Sequence, residues 1–179
     1  MTRLWTGKGD DGTSGLYYGG REPKSSARFE AIGAVDEAQA AIGVARAEVS
    51  GSAELDAILV GVERDLWVLM AELATDDANR SKLAEGATLV TGDMVAAVEA
   101  HIEAIAARFE LPAEFVVPGQ DRASALLDVA RTVVRRAERS AVTVAADGSS
   151  VTPYLNRLSS LLWTLARWVE GEPLTSRHH

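Results

Sequence analysis

Apolar residues recur at three- and four-residue spacing through five long segments of the chain, and this pattern restricts the possible folds more than any other feature. In the second segment, Leu55, Ile58, Leu59 and Val62 follow one face of a helix, as a helical period of about 3.6 residues requires. The predicted helices cover residues 27–49, 54–75, 92–109, 122–144 and 152–169. The segments between them have no convincing strand pattern. The sequence therefore predicts an all-α fold, a five-helix bundle.

The length of 179 residues suits a single domain. A domain of this size buries about 70% of the surface that its unfolded chain exposes, which is enough for a substantial core. We expect one domain over residues 1–179, with a glycine-rich loop at 1–24, the helical bundle at 25–170 and a tail at 171–179. His178 and His179 are left out of the site predictions, because a terminal histidine pair is typical of a purification tag.

The chain is acidic, with a formal net charge of -8 and a pI near 4.9, which argues against nucleic acid or an anionic membrane as a partner. An anionic ligand would have to be bound by a local cluster of basic residues. The absence of cysteine excludes disulfides, thiolate metal sites and cysteine nucleophiles. The N-terminus contains no apolar signal core, and no uncharged run approaches the ~20 residues that span a membrane. We therefore expect a cytoplasmic protein.

The fourth predicted helix carries such a basic cluster, with four arginines in nine positions. Arg131, Arg135 and Glu138 fall on one helical stripe, and Asp128 lies one turn before Arg131. The planar guanidinium group donates a fork of hydrogen bonds that suits a carboxylate or the oxygens of a phosphate chain. A second interpretation stays open, in which these residues form a salt-bridged outer face of the helix. Arg139 is expected to be solvated.

Residues 1–24 contain six glycines interleaved with hydroxyl and charged residues, which excludes a helix or a buried strand. Glycine lets successive backbone N–H groups turn toward one centre, while Thr13, Ser14, Lys8 and Lys24 add hydroxyls and positive charge, so the composition suits a phosphate-binding loop. The residue order differs from that of a Walker A loop. The alternative is a poorly ordered terminus.

Two further positions are candidates for the site. Phe115 is displayed on a short apolar loop between Pro112 and Pro118, although a phenylalanine is more often a core residue. Asp36 lies in the middle of the first predicted helix, where a solvated face is the default interpretation.

The segments TGKGDDGTSGL, GGREPKSS, AVDEAQAAIG, FVVPG, ARTVVRRAER and YLNRLSSLLWTLAR occur in this order. Together they resemble the ATP:cob(I)alamin adenosyltransferases of the PduO type, and the resemblance is collinear over nearly the whole sequence. It implies a five-helix bundle that assembles as a homotrimer, with each active site between the N-terminal loop of one chain and the arginine helix of its neighbour. It also implies transfer of the 5′-deoxyadenosyl group of ATP to the cobalt of cob(I)alamin, with release of triphosphate.

The resemblance also assigns roles to residues. Arg131 is expected to pair with Asp36 beside the cobalamin, and Phe115 to close off the lower face of the corrin. The residues implied to bind ATP are Thr6, Gly7, Lys8, Gly9, Asp10, Gly12, Thr13, Ser14, Lys24, Arg135, Arg136, Glu138 and Asn156. Whether Lys8, Lys24 or both contact the triphosphate stays open. ATP and cobalamin are the expected substrates, with Mg²⁺ accompanying ATP, and no protein side chain is predicted as a metal ligand.

Cob(I)alamin is itself a very strong nucleophile, so this chemistry needs no protein nucleophile. A cobalt reductase and a cobalamin-dependent enzyme are expected partners. One alternative is a noncatalytic, ATP-responsive cobalamin carrier. Another is a structural helical assembly without a ligand, which would leave the glycine-rich loop and the arginines unexplained.

Overall fold

The computed structural model describes residues 5–49 and 51–176, so His178 and His179 lie outside the described residues. The elements in chain order are β1 (Thr13–Gly15), β2 (Arg21–Pro23), α1 (Ala27–Glu48), α2 (Ala53–Leu73), a 3-10 helix (Asp77–Lys82), α3 (Gly92–Ala106), α4 (Arg122–Ala141) and α5 (Val151–Glu170). The five predicted helices are therefore confirmed. Their predicted C-terminal ends extend beyond the observed ones by up to three residues, except in α5.

Side-chain caps fix the starts of most helices. The Ser26 hydroxyl accepts the backbone N–H of Phe29 at the start of α1, and the carboxylate of Asp121 accepts that of Ser124 at the start of α4. Each cap satisfies an N–H group that has no partner within the helix. At the C-terminal end of α5, Gly171 adopts φ +75°, a left-handed conformation that favours glycine and ends the helix.

Helix α4 packs between α1 and α5, while α2 packs on α1 and α3 packs on α5. The buried face of α4 includes Ala130, Ala137 and Ala141, and α1 also buries several alanines. Because alanine side chains are small, the two helices approach closely along this seam. The apolar contacts form one continuous core with the leucines of α2 and α5. Among the described helices, none combines the length and apolar character needed to cross a membrane.

The all-α prediction is wrong in one respect, because β1 and β2 pair as an antiparallel hairpin. Arg21 explains how such short strands stay together. Its guanidinium donates to the hydroxyl of Thr13 at 2.8 Å and 2.6 Å and to the carbonyl of Lys8 at 2.6 Å. The chain reverses through Gly19 and Gly20, whose φ angles of +100° and +92° are rarely accessible to other residues.

The hairpin is attached to one end of the bundle. The backbone N–H of Tyr17 donates to the carbonyl of Ala74 at 2.9 Å, just beyond α2, and the Tyr18 hydroxyl donates to the carbonyl of Lys82 at 2.9 Å. Leu16 is buried beneath the turn. These contacts hold the glycine-rich segment where α2 ends and α1 begins.

The connection between α2 and α3 contains the 3-10 helix. The buried carboxylate of Glu72 organises it by accepting hydrogen bonds from Arg80 at 3.0 Å, the backbone of Val90 at 2.8 Å and the Ser149 hydroxyl at 2.6 Å. Ser149 belongs to the turn between α4 and α5. The hairpin therefore occupies the same end of the bundle as the C-terminus of α4.

Candidate active site

The loop before α4 displays Phe115 toward solvent. The residue is 88% exposed, so the expectation of a displayed ring is confirmed and the core alternative is wrong. The backbone around it is nevertheless held in place, because Ser176 donates to the carbonyl of Phe115 at 2.8 Å and Val117 donates to the carbonyl of Leu174 at 2.8 Å. The ring is thus exposed on a loop that the C-terminal segment fixes.

Phe115 borders a cavity of about 580 Å³ between this loop and helices α4 and α5. The cavity is lined by Ala113, Glu114, Phe115, Val116, Pro118, Asp128, Arg131, Trp163, Arg167 and Ser176. A second cavity of about 400 Å³, between α3, α4 and α5, is lined in part by Arg131, Arg135 and Trp163. Arg131 and Trp163 belong to both linings. The first cavity is mainly apolar with a charged wall, which suits a large organic ligand that carries polar substituents.

Arg131 is paired differently from the prediction. Its Nε donates to a carboxylate oxygen of Asp128 at 2.8 Å, within the same helix. Asp36 is exposed on the far side of α1, where it borders a groove against α2. The predicted Arg131–Asp36 ion pair is therefore absent within one chain. The outer-face interpretation also fails for Asp128, which is only 5% exposed.

Arg135 is exposed, and its guanidinium has no ion pair with a carboxylate among residues 5–49 and 51–176. Arg139, one turn later, is also exposed and donates to the backbone carbonyl of Arg135 at 3.0 Å. The prediction that Arg139 is solvated is thus confirmed. Arg135 presents an uncompensated positive charge at the second cavity, a suitable place for an anion.

The remaining candidates on α4 and α5 are each engaged within the chain. Arg136 forms an ion pair with Glu37 of α1. The Asn156 amide donates to a carboxylate oxygen of Glu138 at 3.0 Å, joining α5 to α4. The side-chain oxygen of Asn156 accepts from Arg157 at 2.7 Å. The structure therefore brings Glu138 and Asn156 together, one turn from Arg135.

The glycine-rich loop precedes and includes the hairpin, and it contains the other nine predicted ATP-binding residues, from Thr6 to Ser14 and Lys24. The ammonium group of Lys24 lies against the loop, because a Cβ built on Gly9 would lie 3.0 Å from Nζ. Gly7 and Gly12 adopt φ +70° and +80°, so side chains there would be strained. The Lys8 side chain is exposed, and its backbone N–H donates to the hydroxyl of Thr6 at 3.4 Å.

Asp11 stabilises the turn into β1. Its carboxylate accepts both the hydroxyl and the backbone N–H of Thr13 at 2.8 Å. These hydrogen bonds, with a smaller contribution from Arg21, hold the pKa of Asp11 below its usual value of 3.8. A lowered pKa means that this contact stabilises the loop at neutral pH and is lost only as the pH falls through that lowered value.

Within a single chain, the residues of the loop lie apart from those that line the two cavities. No residue of 5–24 lines either cavity. The hydrogen bonds of the hairpin run instead to the end of α2 and to the 3-10 helix. If both groups act on one ligand, they must come from different chains.

A model of the cobalamin adenosyltransferase family matches residues 4–169. The chain belongs to this family. It is 41% identical over 172 residues to the corrinoid adenosyltransferase of Mycobacterium tuberculosis strain H37Rv, an alignment that covers 93% of this chain and 88% of the relative. It is 37% identical over 179 residues to the corrinoid adenosyltransferase of Citrobacter freundii, covering 97% and 98% of the two chains.

The fold is also that of solved adenosyltransferase structures. A PduO-type ATP:corrinoid adenosyltransferase variant from Lactobacillus reuteri, complexed with cobalamin and ATP, superposes with a TM-score of 0.87. The two chains are 23% identical, and the match covers 98% of this chain and all of the other. At this identity the likeness shows the fold of the adenosyltransferase and assigns no role to individual residues.

Trp163 is a cavity residue of this adenosyltransferase that the sequence analysis missed. It lies on α5 between buried Leu162 and Thr164, outside the stripe of buried leucines on that helix. Its position outside that stripe was the available signal, because a large aromatic side chain away from the core face often borders a pocket. Arg167, which is 2% exposed and ion-paired with Asp128, was missed as well.

Proposed function

We propose that this adenosyltransferase transfers the 5′-deoxyadenosyl group of ATP to the cobalt of cob(I)alamin and releases triphosphate. The observation that carries the proposal is the exposed residue Phe115 beside a cavity that is also lined by Arg131 and Trp163. Arg135, which has no ion pair within residues 5–49 and 51–176, lies at the adjacent cavity. A large ring system and a phosphate chain would thus be bound side by side. The names of the relatives support this reaction class.

The reaction needs positioning and electrostatics from the protein. The electron pair of cob(I)alamin forms the cobalt–carbon bond at the 5′-carbon while the carbon–oxygen bond breaks, and triphosphate leaves with that bonding pair. Negative charge therefore grows on the leaving oxygen, where preorganised donors stabilise the transition state. Holding the cobalt and the 5′-carbon in line reduces the remaining barrier.

The triphosphate donors we assign are the glycine-rich loop, Lys24 and Arg135. Glu138 and Asn156, joined by their hydrogen bond, would orient the nucleotide. Mg²⁺ would arrive with ATP as part of the substrate, since Mg²⁺ in nucleotide sites is bound largely by phosphate oxygens and water. No group of three acidic or histidine side chains in the described part of the chain could hold a metal ion by itself.

Phe115 has a separate task in this proposal. Cobalt(II) must be reduced before it can react, and an axial ligand below the corrin makes the reduction harder. An exposed aromatic ring at the cavity can fill that space and exclude water or the lower nitrogen ligand. The axial ligand set is a main determinant of the redox potential of a metal in a macrocycle.

We further propose a homotrimer whose active sites lie between chains. The separation of the loop from the cavities within one chain supports this arrangement. Asp36 supports it too, because this exposed carboxylate has no hydrogen bond or ion pair in the described ranges 5–49 and 51–176. A neighbouring chain would bring Asp36 to Arg131, whose Nη donors are free of partners in those ranges.

The transfer is tested by mixing the protein with ATP and chemically reduced cobalamin. Absorbance should show conversion to a light-sensitive alkylcobalamin, with one triphosphate released per cobalamin. ATP-dependent cobalamin binding without conversion would instead support the noncatalytic carrier. A melting temperature that ATP leaves unchanged would favour the ligand-free assembly, because a ligand of the folded state must raise it.

Asp36→Asn is expected to lower the transfer rate about 10-fold or more and to leave the melting temperature nearly unchanged. The exposed carboxylate has no hydrogen bond or ion pair within residues 5–49 and 51–176, whereas a pair with Arg131 of a neighbour would be weakened by about 1.4 kcal/mol or more. Steady-state rates and thermal denaturation measure the two effects. Asp147→Asn, at an exposed position in the α4–α5 turn, is the control. An unchanged rate for Asp36→Asn would refute the pairing.

Lys24→Ala is expected to weaken ATP binding about 10-fold or more, and Lys8→Ala to have a smaller effect. The reason is geometric, since Nζ of Lys24 is held against the loop at Gly9 while the Lys8 side chain points into solvent. Titration calorimetry with ATP compares the two variants directly. Equal losses, or a larger loss for Lys8→Ala, would contradict the assignment.

A further inference from the structure

Four charged side chains form a continuous series behind the cavity of Phe115. Glu170, Arg167, Asp128 and Arg131 alternate in sign. Asp128 accepts Nε of Arg131 at 2.8 Å with one carboxylate oxygen and Nη2 of Arg167 at 2.7 Å with the other. Nε of Arg167 lies 3.1 Å from a carboxylate oxygen of Glu170. One carboxylate thus holds both arginines.

Three members of this charge series are buried. Arg167 is 2% exposed, Asp128 is 5% exposed, and the side chain of Glu170 is fully buried. The Ser124 hydroxyl lies 3.1 Å from Glu170 and 3.4 Å from Arg167. Burying charges carries a large desolvation cost, and apolar replacements of buried ion pairs are often as stable. Stability alone therefore does not explain the charge series.

Arg131, whose side chain is 26% exposed, is the end of the charge series nearest to solvent, and it lines both cavities. A guanidinium group has five N–H donors, and Asp128 uses the one at Nε. The Nη donors of Arg131 have no hydrogen bond within residues 5–49 and 51–176, so they stay available at the cavity. The guanidinium of Arg167 also borders the cavity, 6.0 Å from the centre of the Trp163 ring.

We propose that Asp128, itself fixed by Arg167 and Glu170, is a positioning residue that aims the Nη donors of Arg131 at the cobalamin side of the site. This inference rests on the proposed function. Without Asp128, Arg131 keeps its charge and loses its fixed orientation. Two guanidinium groups held by opposite oxygens of one buried carboxylate cannot rotate independently, so the direction of Arg131 is determined from inside the bundle.

A double-mutant cycle between Asp128→Asn and Arg131→Lys tests the proposal on the full-length protein. Asparagine keeps one acceptor oxygen and replaces the other by an NH2 group that cannot accept from a guanidinium. We expect Asp128→Asn alone to lower kcat/KM for cob(I)alamin about 10- to 100-fold, the usual cost of losing an orienting partner. The shift of the melting temperature by ATP should remain as in the wild type. In the Arg131→Lys background the same change should lower kcat/KM by less than about 3-fold, since the effects of substitutions at coupled residues are non-additive.

Asp65→Asn is the matched control. Asp65 accepts the Tyr154 hydroxyl at 2.7 Å on the other side of α5, and burial raises its pKa, so an amide should replace it at little cost. Its effect on kcat/KM should be small and the same in both backgrounds. If Asp128→Asn does not fold, Arg167→Lys takes its place, because lysine keeps the charge but lacks the fork that joins Asp128 to Glu170.

Additive losses in the two backgrounds would overturn the positioning role while leaving the proposed function intact. An equal fall in ATP and cob(I)alamin affinity would overturn it too, because it would indicate general damage to the bundle. If the wild-type protein transfers no adenosyl group, the proposed function fails, and the positioning role fails with it. Non-additive losses confined to cob(I)alamin, with the ATP-induced melting shift preserved, would support it.

Discussion

Phe115→Ala is expected to slow cobalamin reduction and adenosylation about 100-fold while leaving ATP binding and the melting temperature unchanged. Phe115 is 88% exposed and its loop is held by backbone hydrogen bonds, so truncation removes little packing. What it removes is the group proposed to exclude a lower axial ligand and to position the corrin, and misplacement of a reacting centre by about 1 Å can cost 100-fold.

The effect separates into two steps that can be measured independently. Transfer that starts from cob(II)alamin with a reductant reports reduction and adenosylation together, and transfer that starts from chemically prepared cob(I)alamin reports adenosylation alone. We expect the larger loss in the first assay. Phe109→Ala is the control, since Phe109 packs against the core and its loss should lower the melting temperature instead. Equal losses of ATP binding and adenosylation in Phe115→Ala would indicate misfolding and contradict the assigned role.

Arg135→Ala is expected to lower kcat by about 100- to 1,000-fold, the range seen when one donor to a developing negative charge is removed. The loss should fall more on kcat than on ATP affinity, because the charge on the leaving triphosphate is largest in the transition state. Stability should change little, since Arg135 is exposed and has no carboxylate partner in the described part of the chain.

Arg139→Ala provides the matched control one turn further along α4. Arg139 is also exposed and, among the described residues, donates to a backbone carbonyl alone, so its truncation should leave kcat within about 2-fold of wild type. Single-turnover rates at saturating ATP compare the two variants. A similar loss in both would attribute the effect to the general positive charge of α4, and an unchanged kcat in Arg135→Ala would remove this residue from the site.

The helices of the bundle could be predicted from sequence because the patterns that specify them, apolar spacing and N-terminal caps, are local. Apolar spacing in residues 54–75 identified α2, and the side-chain oxygens of Ser26 and Asp121 mark the beginnings of α1 and α4 by accepting backbone N–H groups of the first turn. The hairpin could not be predicted in this way. Its strands are three residues long, too short for an alternating pattern, and they depend on hydrogen bonds from the side chain of Arg21.

The ion-pair partners of the site residues were harder to predict than the helix faces on which these residues lie. Helical spacing placed Arg131 and Asp128 on one side of α4, but Arg167 lies on another helix and holds Asp128 from the core. An arginine within the apolar α5 gave no indication of its partner. The resemblance named Asp36 as the partner of Arg131, and a single chain cannot form that pair. A single sequence does not show whether two residues meet within one chain or between two chains.

Mixed oligomers test the central claim, that transfer takes place at a site formed by the loop of one chain and the arginine helix of another. One variant carries Lys8→Ala and Lys24→Ala, which damage the loop, and the other carries Arg135→Ala, which damages the helix. Assayed well below the ATP concentration that would saturate the loop variant, each should have no more than about one tenth of wild-type activity by itself. Co-expressed in equal amounts, they should recover about one quarter of wild-type adenosylcobalamin formation, because that share of the interfaces combines an intact loop with an intact helix. Activity no higher than the mean of the separate variants would contradict the claim.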